Sequence, residues 1–158
     1  MDRSAGILMP ISSLPSPYGI GTFGKAAYRF ADFLHEAGQK YWQLLPLGPT
    51  SYGDSPYQAF STFAGNPYFI DLDTLIADDL LTQTEVDACA WGTEPRYVDY
   101  GKIYESRFAL LEKAKARGWS RDREAVATFE AENARWLPDY ALFMALKRRL
   151  AMKGWTGW

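Results

Sequence analysis

Between Leu45 and Asp73 the chain reads LPLGPTSYGDSPYQAFSTFAGNPYFIDLD, a long stretch of Gly, Pro, Ser and aromatic residues with Asp54 as its only charge before Asp71. It is preceded by an apolar run, Tyr41–Leu47, and closes on another, Tyr68–Leu72. Loops of this length inside a compact domain are uncommon, and are either functional or disordered. Disorder is a poor fit here, because Tyr52, Tyr57, Phe60, Phe63, Tyr68 and Phe69 supply more rings than a solvated linker carries. An ordered, aromatic, uncharged loop suits an uncharged ligand with apolar faces and a rim of hydroxyls. A sugar chain has that character more than a nucleotide or a peptide does.

The residues ahead of this loop set its place in a fold. Gly6–Ile11 is an apolar run that reads as a strand. Ser12–Phe23 follows as a loop punctuated by Pro15, Pro17, Gly19 and Gly21. Ala26, Ala27, Phe30, Leu34 and Ala37 then recur at helical spacing, which predicts an amphipathic helix over Lys25–Ala37 with Gly38 at its C-terminal end. Tyr41–Leu47 is apolar at nearly every position and reads as a second strand, of a sheet covered on both faces. Strand, helix, strand is a βαβ unit, with parallel strands and a right-handed crossover.

Behind the loop the texture is helical. Asp73 is placed to cap a short helix running to Leu81. Thr82 and Glu85 have the spacing of a capping box. Trp91–Asp99 reads as irregular. Lys102–Arg117 reads as a helix with Ile103, Phe108, Leu111 and Ala114 on one face, ended by Gly118. Asp122–Asn133 reads as a more exposed helix. Pro138–Met152 is the last, with Pro138 in its first turn and Lys147, Arg148, Arg149 and Lys153 toward its end, where positive charge is favoured. Three segments result: a βαβ unit over 1–48, the loop over 49–73, and a mostly helical part over 74–158. Two parallel strands do not make a stable sheet alone, so the chain reads as the front piece of something longer.

Composition removes several function classes. The chain has 158 residues, enough for one domain with a core, and a net charge of −2. It shows no basic stripe of the kind that marks nucleic-acid binders. No apolar run approaches the length that spans a bilayer, and Met1-Asp2-Arg3-Ser4 does not open a signal peptide. Cys89 is the single cysteine, so no intrachain disulfide forms. A cytoplasmic protein that uses no cofactor and no metal is the expectation. Gly19-Ile20-Gly21-Thr22-Phe23-Gly24 matches G-x-G-x-x-G, but two prolines separate it from the strand and no acidic residue follows the second strand, so dinucleotide binding is not expected. Asp71-x-Asp73 lacks the glycine and closing Glu of a calcium loop. His35 reads as an ordinary helix residue. Glycoside chemistry needs two acids, about 5–5.5 Å apart for retention. Asp54 offers one, and its expected role is to shape the loop by accepting from backbone amides.

Several blocks together resemble the amino-terminal part of the 4-α-glucanotransferases, also called amylomaltases or disproportionating enzymes. They are Gly6-Ile7-Leu8, Ser12-Ser13-Leu14-Pro15-Ser16-Pro17-Tyr18-Gly19-Ile20-Gly21, and Trp42-Gln43-Leu44-Leu45-Pro46-Leu47-Gly48-Pro49-Thr50. They continue through Tyr52-Gly53-Asp54-Ser55-Pro56-Tyr57-Gln58, Ala64-Gly65-Asn66-Pro67, Ile70-Asp71-Leu72, Val98-Asp99-Tyr100 and the run Asp139–Lys147. The resemblance implies a (β/α)8 TIM barrel, of which this chain holds the first two strands and the first helix, with a mostly helical insertion after strand two. It implies α-1,4-glucans (maltooligosaccharides) as substrate, transferred through a covalent glucosyl-enzyme. By the same resemblance Tyr57 stacks on the sugar, Ser55 bonds a neighbouring sugar hydroxyl, and Tyr52 belongs to a second, surface glucan site. The catalytic acids of the family match no residue here, so this chain is expected to grip a glucan without transferring it. Its open strands are expected to meet the rest of the barrel or a second copy. A stand-alone glucan-binding module and a peptide-holding interaction module are the rival readings.

Overall fold

The computed structural model describes residues 3–94 and 96–158. Met1 and Asp2, the start of the Met1–Ser4 stretch, and Pro95 within Trp91–Asp99 lie outside the described residues. Two strands, β1 (Gly6–Leu8) and β2 (Tyr41–Gln43), flank α1 (Lys25–Glu36). They pair in parallel with Gly6 opposite Tyr41 and Leu8 opposite Gln43. After the long loop come α2 (Leu72–Ala77), α3 (Gln83–Asp87), α4 (Tyr100–Arg121), α5 (Arg123–Glu132) and α6 (Leu137–Arg149).

Both strands are shorter than their apolar runs. Pro10 has no N–H for a ladder, and the chain turns at Ile11–Ser13. Leu44, Leu45 and Leu47 stay partly buried, but among the described residues no strand pairs with this run. The sheet is also not covered on both faces. Trp42 turns onto α1, with its ring 4.9 Å from Phe30 and its indole N–H donating to the Met9 carbonyl at 2.8 Å. Alternate side chains point the other way, so Tyr41 is 65% exposed and Leu8 52% exposed. α1 ends as expected, with Gly38 at φ +68.

The larger core joins Tyr18 of the first loop to Leu72, Leu81, Val86, Leu110 and Ala114 of the helical part. The cap of α2 is Asp71 rather than Asp73: its carboxylate accepts from the Thr74 N–H at 2.9 Å. Asp73 instead accepts from the Tyr18 hydroxyl at 2.6 Å. The capping box at α3 is present as read, with both Thr82 and Glu85 bonds formed. Gly118 does not end α4, which runs on to Arg121. Gly118 is there for close approach: a methyl at that position would lie 3.1 Å from the Leu80 side chain. Arg117 and Arg121 then donate to the Leu80 and Asp78 carbonyls, docking the end of α4 on the α2–α3 connection. α5 buries no residue, as its charge implied. α6 reaches α4 through Arg148, whose guanidinium meets Glu112 at 2.6 Å.

Glu85 ties these elements together and makes acid stability testable. Both terminal guanidinium nitrogens of Arg117, the Thr82 N–H and Lys113 all point at its carboxylate. Arg117 first, then the backbone bond, hold it well below its ordinary value of 4.5. A carboxylate depressed in the folded state adds stability above its unfolded pKa and loses it as pH falls through the folded one. Glu85→Gln is therefore expected to flatten the decline of stability below pH 4.5, measured as urea midpoints across an acid series. An unchanged acid limb would show that the network contributes nothing.

Candidate functional site

Because the strands are parallel, their C-terminal ends share one edge, and the segments leaving them, residues 10–12 and 45–47, meet there. Together with Thr50, Asp54, Pro56, Asn66, Tyr68 and Tyr100 they line a cavity of about 140 Å³. The C-terminal edge of a parallel α/β sheet is where such folds place ligands.

The loop that covers this edge has regular geometry in its first half. Thr50 and Ala59 form an antiparallel bridge. The Phe60 N–H donates to the Pro49 carbonyl at 3.0 Å, and the Ser51 N–H to the Gln58 carbonyl at 3.1 Å. Residues 49–60 thus form a hairpin. Its tip is closed by the Asp54 N–H to the Ser51 carbonyl and the Gln58 N–H to the Ser55 carbonyl. Asp54 sits at φ +54 there, a conformation Asp adopts more readily than most residues. The Asn66 N–H returns to the Leu47 carbonyl at 2.9 Å, and the Asn66 side chain caps the turn Pro67–Phe69.

Of the residues singled out in sequence, Tyr52 and Tyr57 lie on the outside of the hairpin, 99% and 74% exposed. Ser55 is half-buried, and its hydroxyl accepts from the Tyr57 N–H at 3.4 Å. Asp54 points the other way, into the cavity. Its carboxylate accepts from the Thr50 hydroxyl at 3.4 Å, a side-chain partner in place of the backbone amides anticipated for it. Burial raises the Asp54 carboxyl above its ordinary value, and the Thr50 bond opposes the rise. Tyr68, named in sequence only as one of the loop's rings, and Tyr100, named only within a block of resemblance, line the same cavity. Burial, then the Asp54 charge, raises both phenols. Among the described residues lining the cavity Asp54 is the only acid, so the wall holds no second carboxylate for a retaining pair. It can accept hydrogen bonds from hydroxyls and offer apolar contact. Among the described residues no group of three or more His, Cys, Asp or Glu side chains is placed to hold a metal ion. No helix among them is long and apolar enough to cross a membrane. His35 is exposed at the end of α1.

The G-x-G-x-x-G stretch packs against protein rather than a ligand. A methyl on Gly24 would land on the Asp71 carboxylate, which also takes the Thr22 hydroxyl at 2.6 Å. The N-terminus of α1 therefore already faces an anion. Burial alone would raise the Asp71 carboxyl, but the bonds from Thr22 and Thr74 and the charge of Arg107 hold it below its ordinary value.

The architecture is that of part of a TIM barrel. An amylomaltase from Streptococcus agalactiae, solved with acarbose, superposes with a TM-score of 0.94 at 43% identity, over 99% of this chain and 32% of that one. The profile of the family described as 4-alpha-glucanotransferase matches residues 9–158, and the chain belongs to that family. A 4-alpha-glucanotransferase of Clostridium butyricum is 53% identical over 95% of the chain, and one of Thermus thermophilus is 47% identical over all of it. The chain spans 31% of the length of each of these two relatives.

Proposed function

We propose that this chain is the amino-terminal, glucan-gripping part of a 4-α-glucanotransferase. In that reading the whole protein moves α-1,4-glucan segments between maltooligosaccharides by double displacement, and residues beyond this chain supply its acids. The observation that carries the reading is the hairpin at the C-terminal edge of β1 and β2. It presents the Tyr57 ring to solvent beside the Ser55 hydroxyl, with no charge on its outer face. A phenol ring offers a face to sugar C–H groups and a hydroxyl to a polar partner. Similarity to an amylomaltase that binds acarbose supports the same reading. Residues 1–48 then begin the barrel, 49–73 form the groove, and 74–158 are an insertion that walls it. Tyr52 serves a second surface site, and Asp54 shapes the hairpin from inside. The rest of the barrel, or a second copy, covers Leu8 and Tyr41. A cytoplasmic location belongs to the same proposal, supported by a chain with one cysteine.

The test has two arms on the 158-residue chain. Calorimetric titration with maltoheptaose is expected to show binding that Tyr57→Ala weakens about tenfold or more, the scale of a central aromatic anchor. Ser55→Ala should weaken it less. Incubation with maltotriose is expected to leave the sugar unchanged, since the cavity has a single acid. Wild-type affinity in Tyr57→Ala, or new shorter and longer oligosaccharides, would overturn the proposal.

A further inference from the structure

Lys147 lies in the basic end of α6, and only 6% of it is exposed. Its ammonium does not meet a carboxylate within ion-pair distance among the described residues. It lies 4.8 Å from the centre of the Phe60 ring and 5.8 Å from that of Phe143. It also donates to the Met152 carbonyl at 3.3 Å and the Lys153 carbonyl at 3.2 Å. Those carbonyls follow Ala151 and Met152, two non-glycine residues at φ +51 and +59. A pair of side-chain-bearing residues in the left-handed region is costly and persists only where its surroundings hold it. Phe143 also packs on Phe60 at 6.0 Å and on Trp158 at 5.6 Å. A charge this buried, held by two ring faces and two carbonyls, fixes whatever it touches.

Phe60 stands at the base of the hairpin, where its N–H bonds Pro49, and Tyr57 and Ser55 sit at the other end. We propose that Lys147 is a positioning residue: its ammonium clamps Phe60 between α6 and the turn after it, and so sets the angle at which the hairpin presents Tyr57 and Ser55 to a glucan. The clamp rests on the glucan reading only for its use. Its effect on the hairpin is independent of any sugar.

The experiment is hydrogen exchange by NMR on the full chain, without ligand, followed by maltoheptaose titration. Lys147→Met keeps the apolar stem and removes the charge and donors. It is expected to speed exchange at the Ser51, Gln58 and Phe60 amides by about tenfold, the scale of a desolvated cation–π contact. The Leu110 amide in α4 should exchange as in wild type. Lys147→Arg, which keeps charge, donors and ring contact, should recover most of the protection. Maltoheptaose affinity should fall about tenfold in Lys147→Met and recover in Lys147→Arg, a rescue that loss of packing alone does not predict. If Lys147→Met loses the Leu110 protection as well, Phe60→Leu decides from the hairpin side, with the same expected loosening. Wild-type exchange at the three hairpin amides in a folded Lys147→Met or in Phe60→Leu overturns the clamp. Absence of maltoheptaose binding by the wild-type chain overturns the glucan reading and leaves the exchange result to judge the clamp.

Discussion

Arg107→Ala is expected to destabilise the chain by about 3–5 kcal/mol, the range seen when one member of a buried charged arrangement is removed. Arg107 is 0% exposed in the middle of α4, among the largest fully buried side chains of the protein. One guanidinium nitrogen donates to the Ile70 carbonyl at 2.7 Å, while its Nε and Nη1 have no hydrogen-bond partner among the described residues. Burial lowers its pKa to about 10, and the nearby Asp71 charge opposes that fall. Alanine would leave the Ile70 carbonyl unpaired, leave Asp71 without its neighbouring cation, and open a cavity between α4 and the segment Tyr68–Leu72. Arg107→Met separates these effects. It fills most of the space and removes two unpartnered donors, leaving one orphan carbonyl at a cost of about 1–3 kcal/mol. Methionine should therefore be clearly milder than alanine. In thermal unfolding the alanine variant should melt roughly 6–20 °C lower. A fall of only a degree or two would place the guanidinium in solvent. Because Ile70 follows Tyr68, which lines the cavity beside Asp54, the alanine variant should also loosen the floor of the site.

Arg107 also shows where reading the chain stops. On α4 the residues Ile103, Arg107, Leu110 and Ala114 form one buried stripe. The charge in that stripe is not foreseen from the sequence because its partner, the Ile70 carbonyl, is 37 residues away and is a backbone group common to every residue. Lys147 is hidden for the same reason: two carbonyls and two ring faces leave no mark in a sequence. Local chemistry was legible. The capping box at Thr82, Pro138 in the first turn of α6, Gly38 after α1 and the parallel pairing of β1 with β2 all follow from neighbouring residues. The strands came out short because pairing, not hydrophobicity, defines a strand, and among the described residues no strand pairs with Leu44–Leu47. Asp71 and Asp73 compete for one cap. The geometry of Asp71, shared with Thr22 and the N-terminus of α1, decides between them over a distance no local rule covers. In the hairpin, composition showed a loop rich in rings and poor in charge, but not that Tyr52 and Tyr57 are the ones left exposed. The inward turn of Asp54 toward Tyr68 and Tyr100 was not legible either, since Tyr100 arrives only at the start of α4.

Gly21→Ala is expected to be more disruptive than most glycine-to-alanine changes. The methyl would fall on the Ile11 carbonyl oxygen and lie 2.8 Å from both the N and the O of Leu14. All three are backbone atoms of the turn Ile11–Ser13 and its cap Leu14, so no rotamer change relieves the contact. The two arms of the first loop must part, breaking the bond from the Gly21 N–H to the Ser12 carbonyl at 3.1 Å. Parting them uncovers Ile11, Leu14 and Ile20, which are 1%, 5% and 3% exposed. Overpacking alone costs about 1–3 kcal/mol. Exposing even one of these side chains adds about 1.5–3 kcal/mol. A total above about 4 kcal/mol would be exceptional for one methyl group. Gly101→Ala is the control: in the first turn of α4 its nearest contact would be Asp99 at 3.6 Å. There alanine should be neutral or stabilising by up to about 1 kcal/mol, from helix propensity and a less flexible unfolded chain. Urea unfolding of the two variants reads the difference directly. A Gly21→Ala midpoint matching that of Gly101→Ala would mean that the arms of the loop do not touch. The contrast also tests what the G-x-G-x-x-G pattern is for. If Gly21 brings backbone against backbone and Gly24 brings the start of α1 against Asp71, the spacing that elsewhere cradles a pyrophosphate here closes a loop onto its own protein. The cavity wall formed by Ile11 and Ser12 then stands because that closure holds.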